Sequence, residues 1–283
     1  MGTAMGNVLS TSATGRWLGR FEAMPPLAWL ALQAVALWPH WRWAAARLAD
    51  GSDDPLGLVS AAVLIGWVAW QAQGLRGAAR PAWWTAAGAL TVLATVSAAV
   101  LPPLAGALLA ALALACGWRA IAPSGQAALP LAGLAVLSLP VVSSLQFYAG
   151  FPLRLVTAQC STWLLQLAGR AAERSGTAMV VDGQLVIVDA PCSGVQMVWM
   201  AYFCACAVAL LGGLRERSFM RRLPAVGALV LCGNVLRNTV LVALESRGPL
   251  AEAWHQGIGL AVLAMVCAAV VRLMKGVDDA APQ

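Results

Sequence analysis

Apolar residues fall in eight blocks along this chain, at positions 27–38, 56–70, 83–101, 103–119, 129–148, 192–211, 223–244 and 255–273, with short polar or proline-marked joints between them. Long uncharged apolar runs predict helices that cross a bilayer, because a helix satisfies its own backbone hydrogen bonds where no water is present. The joints fit that reading. Pro55 opens the second block, the pair Pro102 and Pro103 forces a turn between the third and fourth, and Pro130 and Pro140 predict a kinked fifth helix. The Trp-Pro-His-Trp-Arg-Trp run from Trp38 predicts an interfacial belt closing the first span. A small-residue cleavage site at 44–46 fits only loosely, and the belt favours an uncleaved helix.

Two stretches depart from the pattern. In 151–169 and just beyond, Arg154, Ser161, Gln166 and Arg170 recur at helical spacing against Leu155, Trp163, Leu164 and Leu167, which predicts an amphipathic helix lying in the interface. In 180–188 an Asp182-Gly183 turn separates two β-branched runs, a β-hairpin signature that must lie outside the hydrocarbon. The hairpin delivers the chain to Pro191 and Cys192. The expected fold class is an all-α polytopic membrane protein of about eight transmembrane helices, with an extracytoplasmic amphipathic helix and a β-hairpin before Cys192.

Composition sharpens this picture. Hydrophobic residues make up 60% of the 283 positions and charged ones 11%, which excludes an ordinary soluble domain. The net charge of +6 does not indicate nucleic acid, because the arginines cluster at block ends, where they set orientation. Arg215, Arg217, Arg221 and Arg222 form the densest basic loop, which the positive-inside rule makes cytoplasmic. Alternating outward from it leaves both termini in the cytoplasm and the hairpin outside, with 11 of the 18 cations inside, six outside and Arg237 within the membrane. The expected organisation is a cytoplasmic tail 1–25, a five-helix membrane region 26–150, the extracytoplasmic helix and hairpin 151–191, a three-helix catalytic region 192–274 and a cytoplasmic tail 275–283. A nine-span arrangement that crosses with 151–169 breaks the charge rule.

Seven cysteines lie mostly within apolar blocks without metal-ligand spacing, so neither a metal site nor another cofactor is expected. Cys116, Cys204, Cys206, Cys232 and Cys267 read as small buried apolar residues. His40, within the tryptophan belt, reads as structural. Three residues carry the candidate chemistry. Cys192 stands at a predicted helix start, where unsatisfied N–H groups favour a thiolate; Ser193 suits a cap, and Gly194 permits close approach of a substrate backbone. The amides of Ser193 and Gly194 are also positioned to donate to an oxyanion. Arg237 lies inside an apolar helix, where a charge costs about 3 kcal/mol or more on insertion scales and needs a partner or a wet cavity. Asn234, Asn238 and Thr239 make the outer half of that helix polar. His255 begins the last span at the same face as Cys192. A thiol nucleophile, an anion-stabilising cation and a proton carrier at the outer leaflet point to acyl transfer or peptide cleavage on a membrane-embedded substrate.

Phe-Pro-Leu-Arg from Phe151, the hairpin, Ala-Pro-Cys-Ser-Gly ending at Gly194, Gly-Asn-Val-Leu-Arg-Asn from Gly233 and the segment 255–259 together resemble the exosortase/archaeosortase family. The resemblance covers roughly 151–273. It implies a membrane cysteine protease and transpeptidase acting on secreted, membrane-anchored proteins with a C-terminal signal: a short motif such as Pro-Glu-Pro, one transmembrane helix and a basic tail. Cys192 is then the nucleophile, Arg237 stabilises the anionic intermediate and His255 moves the proton, with Ser193, Gly194 and Asn234 around the substrate. A histidine at the third position matches the bacterial branch and the inner membrane. The Tyr-Ser-His element often found in the first outer loop of bacterial members is absent, and 50–58 stands there instead. A second reading makes the chain a membrane transporter or polysaccharide-export component with Arg237 lining a substrate path; a third makes it a structural subunit whose polar residues glue helices together. The expected partners are the bilayer and a membrane-anchored protein substrate, without nucleic acid, and nothing in the sequence sets an oligomeric state.

Overall fold

A computed structural model describes residues 24–72, 75, 80–122, 127–187, 193–246, 248 and 251–275. Its helices are α1 Pro26–Ala36, α2 Trp38–Ala49, α3 Leu56–Gln71, α4 Pro81–Ser97, α5 Pro103–Ile121, α6 Leu129–Leu137, α7 Val142–Leu167, α8 Val195–Leu211, α9 Glu216–Glu245 and α10 Glu252–Lys275. Strands β1 Ala172–Ser175, β2 Ala178–Val181 and β3 Gln184–Ile187 lie between α7 and α8.

By length and composition α5, α9 and α10 can each cross a bilayer, and α6 with α7 makes a fourth crossing if the bent pair counts as one; α1, α3 and α8 are apolar but shorter. Eight full spans are therefore not established by helix length. Proline placement accounts for most boundaries. Pro26, Pro39, Pro81, Pro103 and Pro130 all lie in first turns, where the missing N–H has no helical partner to lose. The tryptophan belt does not end the first span as expected, but forms the opening turns of α2 after a break at Leu37. His40 within it is 5% exposed, with Nε2 3.2 Å from the Ala94 carbonyl oxygen and its ring against Gly106, so it is a packing residue. Gln33 of α1 ties the bundle internally, donating to Thr91 Oγ1 at 2.9 Å and the Ala113 carbonyl at 3.0 Å.

The fifth block differs most from expectation. Its helix does not run on to Tyr148: it breaks at 138–141, where Pro140 removes a donor, and the chain turns by 95° into α7. Helix α7 then continues through 151–167, with Pro152 inside it, so the expected amphipathic helix is the second half of a longer one. Its small polar residues Thr157 and Ser161 are fully buried against α9 and do not face water. The last three helices match the last three blocks, except that α9 takes up part of the basic loop as its first turns.

The main core joins α5, α6, α8, α9 and α10 through Trp118, Leu134, Ala201, Val226, Val266 and Val270. Trp199 of α8 is fully buried, stacks on Phe203 at 5.2 Å and donates its indole N–H to the Leu137 carbonyl at 3.2 Å, pairing an acceptor at the end of α6. Of the five cysteines expected to be buried, Cys206 is, Cys116, Cys204 and Cys267 are half-buried, and Cys232 is exposed.

Polar contacts sort the molecule into two ends. At one, Glu216 accepts from the Ala128 N–H at 2.8 Å and lies 4.0 Å from Arg119, while Arg222 donates to the Met274 carbonyl at 3.1 Å. At the other lie the loop 50–55, the start of α7, the sheet, the start of α8 and the connection between α9 and α10.

Candidate active site

The sheet is the first element that shapes this second end. Strands β1, β2 and β3 form an antiparallel meander, with Val181 opposite Gln184 across the Asp182-Gly183 turn. Both turn residues have positive φ, 50° and 83°, as the two-residue hairpin signature requires. Met179 and Val181 are fully buried on Ala158 and Leu165 of α7 and Val242 of α9. The Asp182 carboxylate accepts from the Ala171 N–H and from Arg170, whose guanidinium also reaches Ser246 Oγ at 2.6 Å and the Ala243 carbonyl at 3.4 Å. One arginine thus fastens the tip of the hairpin to the end of α9. Strand β1 has no apolar alternation and was not legible in the sequence.

Pro191 and Cys192 lie outside the described residues. Ser193, which follows them, is 3% exposed; its hydroxyl donates to Gln146 Oε1 at 2.7 Å and lies 3.4 Å from the Val195 N–H at the start of α8. Gly194 is the N-cap of α8, with φ of 81°. A Cβ there would lie 2.7 Å from Cγ of Asn234, so backbone conformation and space both demand glycine. Asn234 is 3% exposed and donates to Thr157 Oγ1 at 3.0 Å, while Asn238 one turn on donates to Ser161 Oγ at 3.0 Å. The polar face expected on α9 is therefore present, and these amides lock α7, the Ser193-Gly194 turn and α9 together.

Arg237 faces a cavity of about 420 Å³ between α3, α8, α9 and α10, alongside Met197, Met200 and Gly259. Its guanidinium packs over Gly259 of α10, where a Cβ would lie 3.2–3.4 Å from three of its atoms. A methyl there would crowd the guanidinium, so glycine gives it room. His255 stands one helical turn from Gly259 and outside the cavity lining, with Nε2 2.7 Å from Oε1 of Glu245, the last residue of α9. Each side chain of that pair is 28% exposed. The antiparallel helices thus meet at two levels, Arg237 with Gly259 and Glu245 with His255.

Asp54 lines the same cavity as Arg237, although the sequence marked its segment only as a loop. The loop docks on the start of α7: the fully buried Asp53 carboxylate accepts from the Ser143 N–H at 3.2 Å, and the Ser143 hydroxyl donates to the Ser52 carbonyl at 2.7 Å. That anchoring sets Asp54 where Gln196 Nε2 donates to its Oδ2 at 2.9 Å. Asp54 and Gln196 line the Arg237 cavity and also a second one of about 480 Å³, walled by Ser143, Gln146, Phe147 and Ser193. Among the described residues no three His, Cys, Asp or Glu side chains group to hold a metal ion.

Several apolar helices long enough to cross a bilayer, one of them carrying an arginine onto a cavity, fit a multi-pass membrane protein. The chain belongs to the transmembrane exosortase family (Exosortase_EpsH), whose sequence model matches residues 35–272, most of its length. Membership suggests a cysteine-type membrane transpeptidase acting on sorting signals. No curated protein and no solved structure matches the chain.

Proposed function

We propose that this protein is a cysteine transpeptidase that removes the C-terminal sorting signal of secreted proteins at the outer face of the bacterial inner membrane. The reading rests above all on Arg237, a cation inside an apolar helix that faces a cavity within a chain of the exosortase family. In this scheme the Cys192 thiolate attacks the scissile carbonyl, with the amides of Ser193 and Gly194 donating to the oxyanion and Asn234 holding their turn in place. Arg237 stabilises the anionic intermediate. His255 gives a proton to the departing amine, a thioester remains on Cys192, and an amine or water then attacks it and releases the thiolate. The substrate carries a short motif of the Pro-Glu-Pro type, one transmembrane helix and a basic tail. Eight spans with both termini cytoplasmic place the Arg222 end inside and the hairpin outside.

The test is processing of a secreted reporter carrying such a tail, coexpressed in cells. Cys192→Ala is expected to insert normally and to accumulate the uncleaved reporter. Arg237→Lys is expected to lower processing roughly tenfold or more, because a point charge does not reproduce a guanidinium fork. Normal processing by the Cys192 variant would sink the assignment.

A further inference from the structure

The contact between Glu245 and His255 is not explained by the helices that carry it. Glu245 is the last residue of α9, where the exposed carbonyl ends of the helix disfavour an anion, and His255 lies in the first turns of α10, where the N–H ends disfavour a cation. Neither is placed to stabilise its own helix, yet they meet at 2.7 Å and are both partly shielded from solvent. The end of α9 is also held firmly. The Ser246 N–H donates to the Val242 carbonyl at 3.1 Å, the Gly248 N–H to the Glu245 carbonyl at 3.0 Å, and Arg170 grips Ser246 and the Ala243 carbonyl. A carboxylate on so fixed a backbone is suited to fixing the ring it touches.

We infer that Glu245 is a positioning residue for His255: its carboxylate holds the Nε2–H, so that Nδ1 is the nitrogen that accepts and returns the proton. The inference rests on the proton-transfer role proposed above for His255. An ionised carboxylate has only acceptor sites, so whether the ring is neutral or protonated its Nε2 must carry hydrogen to satisfy this contact. The proton taken from the Cys192 thiol then resides on Nδ1 and leaves from Nδ1 to the departing amine, while the Nε2–H bond is neither broken nor formed. The arrangement does for imidazole what a buried carboxylate does in other nucleophile–imidazole sites, where loss of tautomer control costs about 10⁴ in turnover. The partial exposure of this pair points to a smaller loss, roughly tenfold or more.

The tautomer can be read directly. The chain has only two histidines, His40 and His255, so the full-length protein in lipid nanodiscs labelled with ¹⁵N-histidine gives two ring systems, assigned by the His255→Asn variant. At alkaline pH His255 is expected to show hydrogen on Nε2 and none on Nδ1; Glu245→Ala is expected to mix the two tautomers, and Glu245→Gln, which keeps an acceptor oxygen, to recover part of the preference. With the tailed reporter, Glu245→Ala is expected to lower processing roughly tenfold or more and Glu245→Gln less. An unchanged tautomer in Glu245→Ala overturns the inference, as does wild-type processing by that variant when His255→Ala is inactive. Wild-type processing by His255→Ala instead removes the proton-transfer role itself, even where the spectra still show the ring held by Glu245.

Discussion

Gly194 concentrates two demands in one residue: a left-handed backbone and no room for a methyl beside Asn234. Gly194→Ala is expected to lower stability by roughly 2–4 kcal/mol, combining the left-handed penalty with overpacking, read as thermal unfolding in detergent. Adding Asn234→Ala is expected to restore the overpacking share and leave the backbone share, so a double-mutant cycle separates the two. At this scale the sequence was informative about single unusual residues. Arg237 stood out because a charge in hydrocarbon needs a reason, and the structure gives it a cavity. Glu245, Asp54 and Gln146 did not stand out, because their significance lies in contacts across the fold. A glutamate ending an apolar block looks like an ordinary boundary until the register of α9 against α10 brings it to His255.

Helix starts were legible at Pro55 and Pro103 but not at Pro39, where the tryptophan run read as the end of a span, and the hairpin was legible from Asp182-Gly183 between two β-branched runs. What escaped were elements whose stability comes from neighbours. Strand β1 reads Ala-Glu-Arg-Ser and exists because it pairs with β2, and α7 runs through Pro152 because tertiary packing carries a helix past one lost hydrogen bond. The amides of α9 test how such packing holds. Asn238→Ala and Ser161→Ala are each expected to destabilise the protein, with a coupling near 0.6 kcal/mol and at most about 1.7 in the double-mutant cycle, the range for polar contacts between membrane helices. Arg170→Gln frees the hairpin from the end of α9. Hydrogen exchange in β2 and β3 is expected to quicken with little change in overall unfolding temperature.

Over the whole molecule, the basic contacts at the start of α9 and the polar site at its far end give the bundle two unlike poles. Thirty helical residues extend about 45 Å, more than the hydrocarbon thickness, so α9 is long enough to carry both poles. The charge pattern assigned a side to each pole, and that assignment is open to labelling. With the six other cysteines replaced, a membrane-impermeant thiol reagent is expected to label Cys192 in intact spheroplasts, whereas Asp278→Cys on a chain also lacking Cys192 is expected to react only after lysis. The reverse pattern would overturn the eight-span orientation.

The two meeting points of α9 and α10 belong to one pair of antiparallel rods. Arg237 and Glu245 are two helical turns apart on one rod, Gly259 and His255 one turn apart on the other. Helical pitch therefore sets how far the guanidinium stands from the imidazole along the bundle. The separation is a property of the rods themselves, and it changes only if one helix slides or turns against the other.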